Sequence, residues 1–474
     1  MRQTKFERRE LLTTGAAALV SLTADRLPIR FTAAEPQRKR FVHRAYLGWI
    51  TDLATRADTQ AHWPSMRLDE ELLRDYQQSF ALMRRLGFNA LSVWGLYVSR
   101  FWPVDIKSAV SPARGAMVEK LIAAAHRAGL RVYSGLGVYS WGFEEIIRAH
   151  PQVSRGNPRA MCASEPEAWR WMQRVIDFVF ARFPIDGVSL QSADQGRCSC
   201  AQCRVCSNAE YHALLNVRTS EYIRSRWPQK TIAINSWGMD FDNPATLPAL
   251  VQMSRSVDYL IDTHDTSRRR DPQYRRKIIG ALACDFGTLG GPQVEPPQHW
   301  PRDRWFLPTA RRVGEHLTQL AEEGGRACEY YFHLLANPGD ELSFWLAGKT
   351  LNDPATAWQK HLQDAIEELY GVTKVAARDA LMEIFLEAEE SWFRHLPGES
   401  CGTISMEPLV SNKPGKPVYL TEKLTLEQRA AYAKDLAAIE REAESLRAAI
   451  PRKDKMQMVI RCLKNARQDA TAAR

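Results

Sequence analysis

From residue 43 onward, short runs rich in β-branched and aromatic residues alternate with longer stretches in which apolar residues recur at helical spacing. This alternation predicts parallel strands joined by crossover helices. Eight runs qualify as strands, at 44–50, 90–96, 131–138, 187–193, 231–237, 258–263, 277–284 and 327–332.

The predicted helices between these strands have recognisable ends. Glycine is expected to end three of them, 68–86, 112–128 and 308–323, at Gly87, Gly129 and Gly324. Ser164 is expected to cap another helix that holds Pro166 in its first turn.

Eight strand–helix units in about 310 residues are typical of a closed (β/α)8 TIM barrel, which we place at residues 41–350. An open doubly wound sheet is the alternative, and it is disfavoured because no Gly-x-Gly-x-x-Gly follows a strand. After residue 350 strand signals stop. Residues 351–474 are predicted to form an all-helical domain, with a long loop at 395–420 and helices at 355–369, 375–393, 426–449 and 454–470.

The composition of the 474 residues is that of a globular protein, with 45% hydrophobic and 25% charged residues. The net charge of +9 is a mild excess over many charges of both signs. It argues against a nucleic-acid partner and is compatible with an acidic substrate.

The first residues have the pattern of a targeting segment. Glu7-Arg8-Arg9-Glu10 precedes an apolar stretch at 11–24 and is similar to a twin-arginine export signal. We expect residues 1–34 to be such a signal and the protein to be periplasmic or secreted. The apolar stretch is too short for a transmembrane helix, and no later stretch is long enough, so no membrane span is expected.

Polar and aromatic residues at the C-terminal ends of barrel strands converge on one mouth, where barrel enzymes keep their chemistry. Carboxylates, amides and large aromatics there suit a carbohydrate, since aromatic faces stack on sugar rings and polar groups take the hydroxyls. The candidates for substrate binding are Trp94, Tyr139, Trp141, Gln195, Asn235, Trp237, His264, Tyr331 and His333, and Glu329 also falls at a predicted strand end. Several of the aromatic residues could equally be core packing.

Glycoside hydrolysis usually needs two carboxyl groups, an acid for the leaving oxygen and a base or nucleophile. Asp194, directly after the fourth strand, is the leading catalytic candidate, although an Asp there could also cap the following loop. Asp262, Asp265 and Asp285 compete for the second role. Strand alternation could turn any one of these three away from the mouth.

Four cysteines, Cys198, Cys200, Cys203 and Cys206, follow Asp194 closely. Three interpretations stay open. They could bind a structural metal, either zinc or an iron–sulfur cluster, form disulfides with Cys162, Cys284 or Cys328 as partners, or remain free thiols. No organic cofactor is expected.

Three segments carry a resemblance to a known superfamily. Ala160-Met-Cys-Ala-Ser-Glu-Pro-Glu-Ala-Trp169 resembles a helix start seen before strand four in barrel glycosidases related to α-glucuronidases and β-N-acetylhexosaminidases. Asp194 followed by Cys-x-Cys-x-x-Cys resembles an exported branch of that superfamily. Asn352-Asp-Pro with Leu369-Tyr-Gly-Val372 resembles the start of its C-terminal helical domain.

The resemblance implies a glycoside hydrolase acting on an oligo- or polysaccharide, including one that contains uronic acids. In hexosaminidases of this type an Asp-Glu pair follows strand four, and the Glu is the general acid. Here the pair is Asp194-Gln195, and an amide cannot protonate a leaving oxygen. The resemblance then leaves Asp194 as the acid. The alternative is a barrel that binds carbohydrate without cleaving it.

Overall fold

The computed structural model describes residues 40–49, 68–96, 101–192, 195–236, 239, 243–262, 272–293, 303–331, 336–395, 403–405 and 425–471. Residues 39–474 form one compact unit. The proposed signal at 1–34 lies outside the described residues. No helix among those described is long and apolar enough to cross a bilayer.

Eight parallel strands form a closed barrel, because β1 pairs with β2 on one side and with β8 on the other. Each strand pairs with the next along the chain. The strands are β1 His43–Trp49, β2 Ala90–Trp94, β3 Arg131–Gly137, β4 Gly187–Gln191, β5 Thr231–Asn235, β6 Tyr259–Asp262, β7 Asp285–Gln293 and β8 Ala327–Tyr331. The predicted barrel is confirmed.

The helices of the barrel region are α1 Glu70–Leu86, α2 Pro112–Arg127, α3 Glu144–Ala149, α4 Pro166–Arg182, α5 Ala201–Arg204, α6 Asn208–Arg226, α7 Leu247–Ser254, α8 Pro272–Ala281 and α9 Ala310–Glu323. Glycine ends α1 and α9 as expected, since Gly87 and Gly324 are left-handed at φ 104° and 100°. Ser164 does not cap α4. The N-cap is Glu165, without a side-chain hydrogen bond, and the Ser164 hydroxyl contacts cysteine sulfurs instead.

One predicted strand is wrong. Residues 277–284 begin inside helix α8, and the seventh strand starts only at Asp285. A short apolar run around Ile278 and Ile279 fits either element, and the true strand is rich in glycine, which is uncommon in strands. Gly287 is needed there, because a Cβ would lie 2.5 Å from the Ala327 carbonyl oxygen of β8.

Helices follow the barrel as predicted: α10 Pro338–Asn352, α11 Trp358–Tyr370, α12 Val375–His395, α13 Leu426–Leu446 and α14 Lys453–Thr471. Helix α10 runs across the boundary expected at 350/351, and that division stays a prediction. A three-residue strand, β9 Thr403–Ser405, pairs with the end of β7 inside the predicted loop. The expectation that strands stop after residue 350 is therefore wrong at this one place.

A buried carboxylate joins the barrel to the C-terminal helices. Glu389 of α12 accepts hydrogen bonds from the backbone N–H groups of Arg311 and Arg312, at 2.9 and 3.0 Å, in the first turn of α9. The Arg312 guanidinium adds a third at 3.2 Å. Thr309, the N-cap residue, accepts no hydrogen bond from the helix through its side chain. Glu389, from a distant part of the sequence, therefore accepts the hydrogen bonds of the first N–H groups of α9. Burial raises the pKa of Glu389, and these donors act in the opposite direction.

We expect Glu389→Gln to lower the free energy of unfolding by about 2 kcal/mol, because the amide nitrogen would face a backbone N–H that then has no acceptor. Denaturant unfolding of the full chain measures the change. Glu383→Gln, on an exposed position of the same helix, is the matched control and should change stability by less than about 0.5 kcal/mol. Equal effects of the two substitutions would contradict the capping role.

Candidate functional site

The barrel interior is layered, and its lower layers are filled by side chains. His43 stacks on Tyr259 with ring centroids 4.4 Å apart, near the amino ends of the strands. Above them, Glu329 lies in the middle of β8, fully buried, with a carboxylate oxygen 3.6 Å from His43 Nε2. The Ser189 hydroxyl donates to its other oxygen at 3.1 Å. Burial lowers the pKa of His43, which Glu329 counteracts. Glu329 is therefore part of the packed interior and not of the mouth.

An apolar floor closes the upper layer. Leu47, Trp94, Ile261 and Leu289 pack together there, and the half-buried Trp141 lies against them. The rings of Trp94 and Trp141 meet edge to face at 4.8 Å. Trp94, expected as a substrate residue, is only 5% exposed, so its main contacts are with this floor.

The turn after β3 that presents Trp141 has an unusual backbone. Tyr139 and Trp141 both adopt positive φ, 61° and 62°, which non-glycine residues rarely do. The turn folds back on Gly137, where a Cβ would lie 2.3 Å from the Ser140 carbonyl oxygen and 2.4 Å from that of Trp141. Such conformations persist only where the surroundings enforce them, and they cluster at functional sites.

Tyr139 and Trp141 point to different environments. Tyr139 is 1% exposed, and its ring is parallel to that of Trp169 on α4. The Arg218 guanidinium of α6 donates to its hydroxyl at 3.5 Å. Burial raises the pKa of Tyr139 to about 12. Tyr139 belongs to the packing between barrel and helices, which leaves Trp141 as the more accessible aromatic of this turn.

Two strands end in amides at the mouth, and one of these amides is buried. Asn235 ends β5, with Ile232 and Ile234 on the helix-facing side, so alternation turns Asn235 into the barrel, where it is only 3% exposed. Gln191 ends β4 on the same inward face as Ser189 and is half-buried. Gln191 was not predicted as a site residue, although its two-residue spacing from Ser189 was the available signal.

Two of the predicted carboxylates lie away from the mouth. Asp262 ends β6 next to the inward-facing Ile261, so it faces the helices, fully buried, and accepts from the Ser236 hydroxyl at 3.4 Å. Asp285 begins β7 and therefore lies at the amino ends of the strands, 3.8 Å from the Arg326 guanidinium. Its assignment to the mouth followed from the misplaced seventh strand.

Other predicted residues cannot be placed in this way. Asp194, Trp237, His264, Asp265 and His333 lie outside the described residues, as does the side chain of Tyr331. Gln195 is described and half-buried, and its backbone carbonyl accepts from the Asn157 amide at 3.0 Å.

Four cysteine sulfurs lie together above the ends of β3 and β4. Cys162, Cys198, Cys200 and Cys203 have their Sγ atoms within 4.8 Å of one another, and all but Cys200 are buried. The Cys162 sulfur is 3.7 Å from that of Cys200 and 3.8 Å from that of Cys203. All four are free thiols, since a disulfide requires about 2.05 Å.

The fourth member of this thiol cluster differs from the sequence prediction. Cys162, on the connection between β3 and α4, takes the place expected for Cys206. Backbone hydrogen bonds fix it there, with Cys162 N–H donating to Val153 and Met161 N–H to Tyr139, both at 2.7 Å. Cys206 is not among the four grouped cysteines, and its backbone carbonyl accepts from the Arg197 guanidinium at 3.2 Å.

The thiols of the cluster are coupled electrostatically. Hydrogen bonding from Cys203 lowers the pKa of Cys162 to about 4, and the same contact raises the pKa of Cys203. Burial raises the pKa of Cys198 to about 11. Without a cation the cluster therefore favours a thiolate at Cys162 and disfavours ionisation of Cys198 and Cys203.

No protein-family model and no curated protein matches this sequence. Among solved structures, the chain is similar to a GH138 enzyme targeting pectin rhamnogalacturonan II, with a TM-score of 0.57 and 10% identity. That match covers 91% of this chain and 57% of the other, so the chain spans little more than half of that enzyme. It is also similar to a variant of the Thermobaculum terrenum O-GlcNAc hydrolase, with a TM-score of 0.50 and 13% identity over 86% of this chain and 77% of that one. At these identities the likeness shows the fold, a barrel that glycoside hydrolases also use.

We expect Gly137→Ala to lower the free energy of unfolding by about 2 kcal/mol, because its methyl group would collide with backbone that cannot withdraw. Gly280→Ala is the control. A Cβ at Gly280 in α8 meets nothing within 4 Å, and the change should stabilise the chain by up to about 1 kcal/mol. Thermal unfolding of both variants checks the prediction, which fails if Gly137→Ala is as stable as the parent.

Proposed function

We propose that this protein is a glycoside hydrolase that cleaves a glycosidic bond in an oligo- or polysaccharide by carboxylate acid/base catalysis. The observation that carries the proposal is the composition of the described mouth. There the half-buried Trp141 lies on an apolar floor, with the half-buried amide of Gln191 at the end of β4. An aromatic platform bordered by an amide suits a sugar ring and its hydroxyls.

The proposed catalytic carboxylates are chosen from the residues that follow strands ending at the mouth. Since β4 and β6 end at the same mouth, Asp194 and Asp265, which follow these strands in sequence, are the remaining candidates after Asp262 and Asp285 are set aside. Asp194 serves as the acid in this proposal and Asp265 as the base, and His264, which precedes Asp265 in the sequence, is proposed to bind substrate. Inversion would need the two carboxyl groups about 6.5–9.5 Å apart, and retention about 5–5.5 Å.

The substrate class is proposed from charge and from the neighbouring structures. The net charge of +9 is compatible with a polysaccharide that carries uronic acids. One fold neighbour is described as targeting pectin rhamnogalacturonan II, which makes pectic oligosaccharides a sensible first group to test. We further propose that the chain is exported through its twin-arginine-like segment, which would place the enzyme where such polymers occur.

The experiment is a screen of chromogenic glycosides and pectic oligosaccharides with purified full-length protein. On the substrate that is cleaved, Asp194→Asn should lower the rate about 10²-fold or more, because the amide keeps the size but cannot donate the proton. Asp285→Asn, at the opposite end of the barrel, should leave the rate unchanged.

Full activity of Asp194→Asn would contradict the assignment of the acid. Absence of cleavage, together with binding of the same sugars by calorimetry, would favour the alternative of a non-catalytic carbohydrate-binding barrel. The replacement of an acid by Gln195 is the sequence feature that supports that alternative.

A further inference from the structure

We infer that Cys162, Cys198, Cys200 and Cys203 bind one zinc ion, which ties the loop after β3 to the loop after β4. The inference rests on the thiol cluster alone. It holds whether or not the barrel cleaves a sugar.

The sulfur spacing fits a single tetrahedral ion. Zinc–thiolate bonds are about 2.3 Å long, so the edge of a regular tetrahedron of sulfurs is about 3.8 Å. The Cys162 sulfur lies 3.7 Å from Cys200 and 3.8 Å from Cys203, and every sulfur pair in the cluster is within 4.8 Å. Binding the ion therefore needs movements of about 1 Å or less.

This spacing argues against an iron–sulfur cluster and against disulfides among the four cysteines. A cluster of several irons with bridging sulfides is larger than one ion and would hold its cysteine sulfurs farther apart. Disulfides would require pairs at about 2.05 Å. Four thiolates around one ion also leave no open coordination position, which makes the site structural and not catalytic.

Polar groups around the sulfurs suit thiolate ligands. The Ser164 hydroxyl lies 2.9 Å from the Cys162 sulfur and 3.7 Å from that of Cys200. The backbone N–H of Cys200 donates to the Cys198 sulfur at 3.5 Å. Such donors orient metal ligands and offset their charge. The use of Ser164 here explains why it does not cap α4.

One contact changes when the metal binds. The Cys198 thiol donates its proton to the Arg155 carbonyl at 3.0 Å, and zinc would displace that proton along with those of the other thiols. The Arg197 guanidinium donates hydrogen bonds to the carbonyls of Cys203 and Cys206 beside the cluster. Its positive charge would partly offset the net charge of two negative units on a four-thiolate zinc site.

The ion would link the segment after β3 to the segment after β4. Asn157, on the connection after β3, already donates to the carbonyls of Gln195 and Arg197, at 3.0 and 3.3 Å. The Cys162 ligand would add a metal bond between the same two segments. Zinc would thus hold the chain on the C-terminal side of Asp194, the proposed acid, against the neighbouring loop.

The test is elemental analysis of the full chain purified without chelators, combined with mass-spectrometric mapping of cysteine alkylation. We expect about one zinc per chain. With metal bound, the half-buried Cys200 should resist alkylation while Cys206, which is likewise half-buried, reacts, and a chelator should make Cys200 reactive. Cobalt reconstitution should give the absorption of a tetrahedral all-thiolate site.

The matched variants are Cys162→Ser and Cys206→Ser. Cys206→Ser should keep one zinc, whereas Cys162→Ser should lose it. If Cys162→Ser does not fold, Ser164→Ala should still weaken cobalt binding by about 10- to 100-fold. Loss of zinc from Cys206→Ser with retention in Cys162→Ser, disulfides mapped among the four, or iron in place of zinc would each overturn the inference. None of these readouts depends on glycosidase activity.

Discussion

Closure of the barrel is the constraint on which the rest of this structure depends. Because β1 pairs with both β2 and β8, no strand edge is left within the ring, and all eight strands run in one direction. Their C-terminal ends therefore meet at one mouth. Residues that are far apart in sequence, such as Trp141 and Asn235, come to the same end of the molecule for this reason.

Closure of the barrel also determines which carboxylates face the interior and which face the helices. The interior holds side chains that alternate inward, and Glu329, an acidic group among them, has polar neighbours in Ser189 and His43. Asp262 is one residue beyond an inward position and so faces the helices. The glycosidase proposal consequently rests on Asp194 and Asp265, which follow strand ends, and not on acids within the strands.

Two long-range connections stabilise loops and helices that the barrel alone does not hold. Glu389 satisfies the first backbone N–H groups of α9 from the C-terminal helices. The thiol cluster joins the connections after β3 and β4. The second matters more for function, since the inferred zinc would lie beside the segment that follows Asp194 and would fix it without taking part in chemistry.

The sequence by itself determined the barrel and most of its elements. Seven of the eight predicted strands overlap observed ones, because β-branched runs with polar or glycine boundaries have few alternatives in a βα pattern. It failed at β7, where a glycine-rich strand lacks the usual signal, and at β9, whose three residues pair only because β7 extends beside them. It also identified the cysteine loop as a candidate metal site.

Only the tertiary structure decided which residues of each pattern act together. Local spacing made Cys206 look like the fourth ligand, but Cys162 lies 36 positions before Cys198 and reaches the cluster because β3 and β4 are hydrogen-bonded neighbours. In the same way, Asp285 lies at the amino ends of the strands, because it begins β7. Tyr139 packs against the helices, whereas Trp141 lies at the mouth. Sequence patterns fix the local element and its period, whereas the side of the sheet and the neighbouring strand depend on contacts between distant segments.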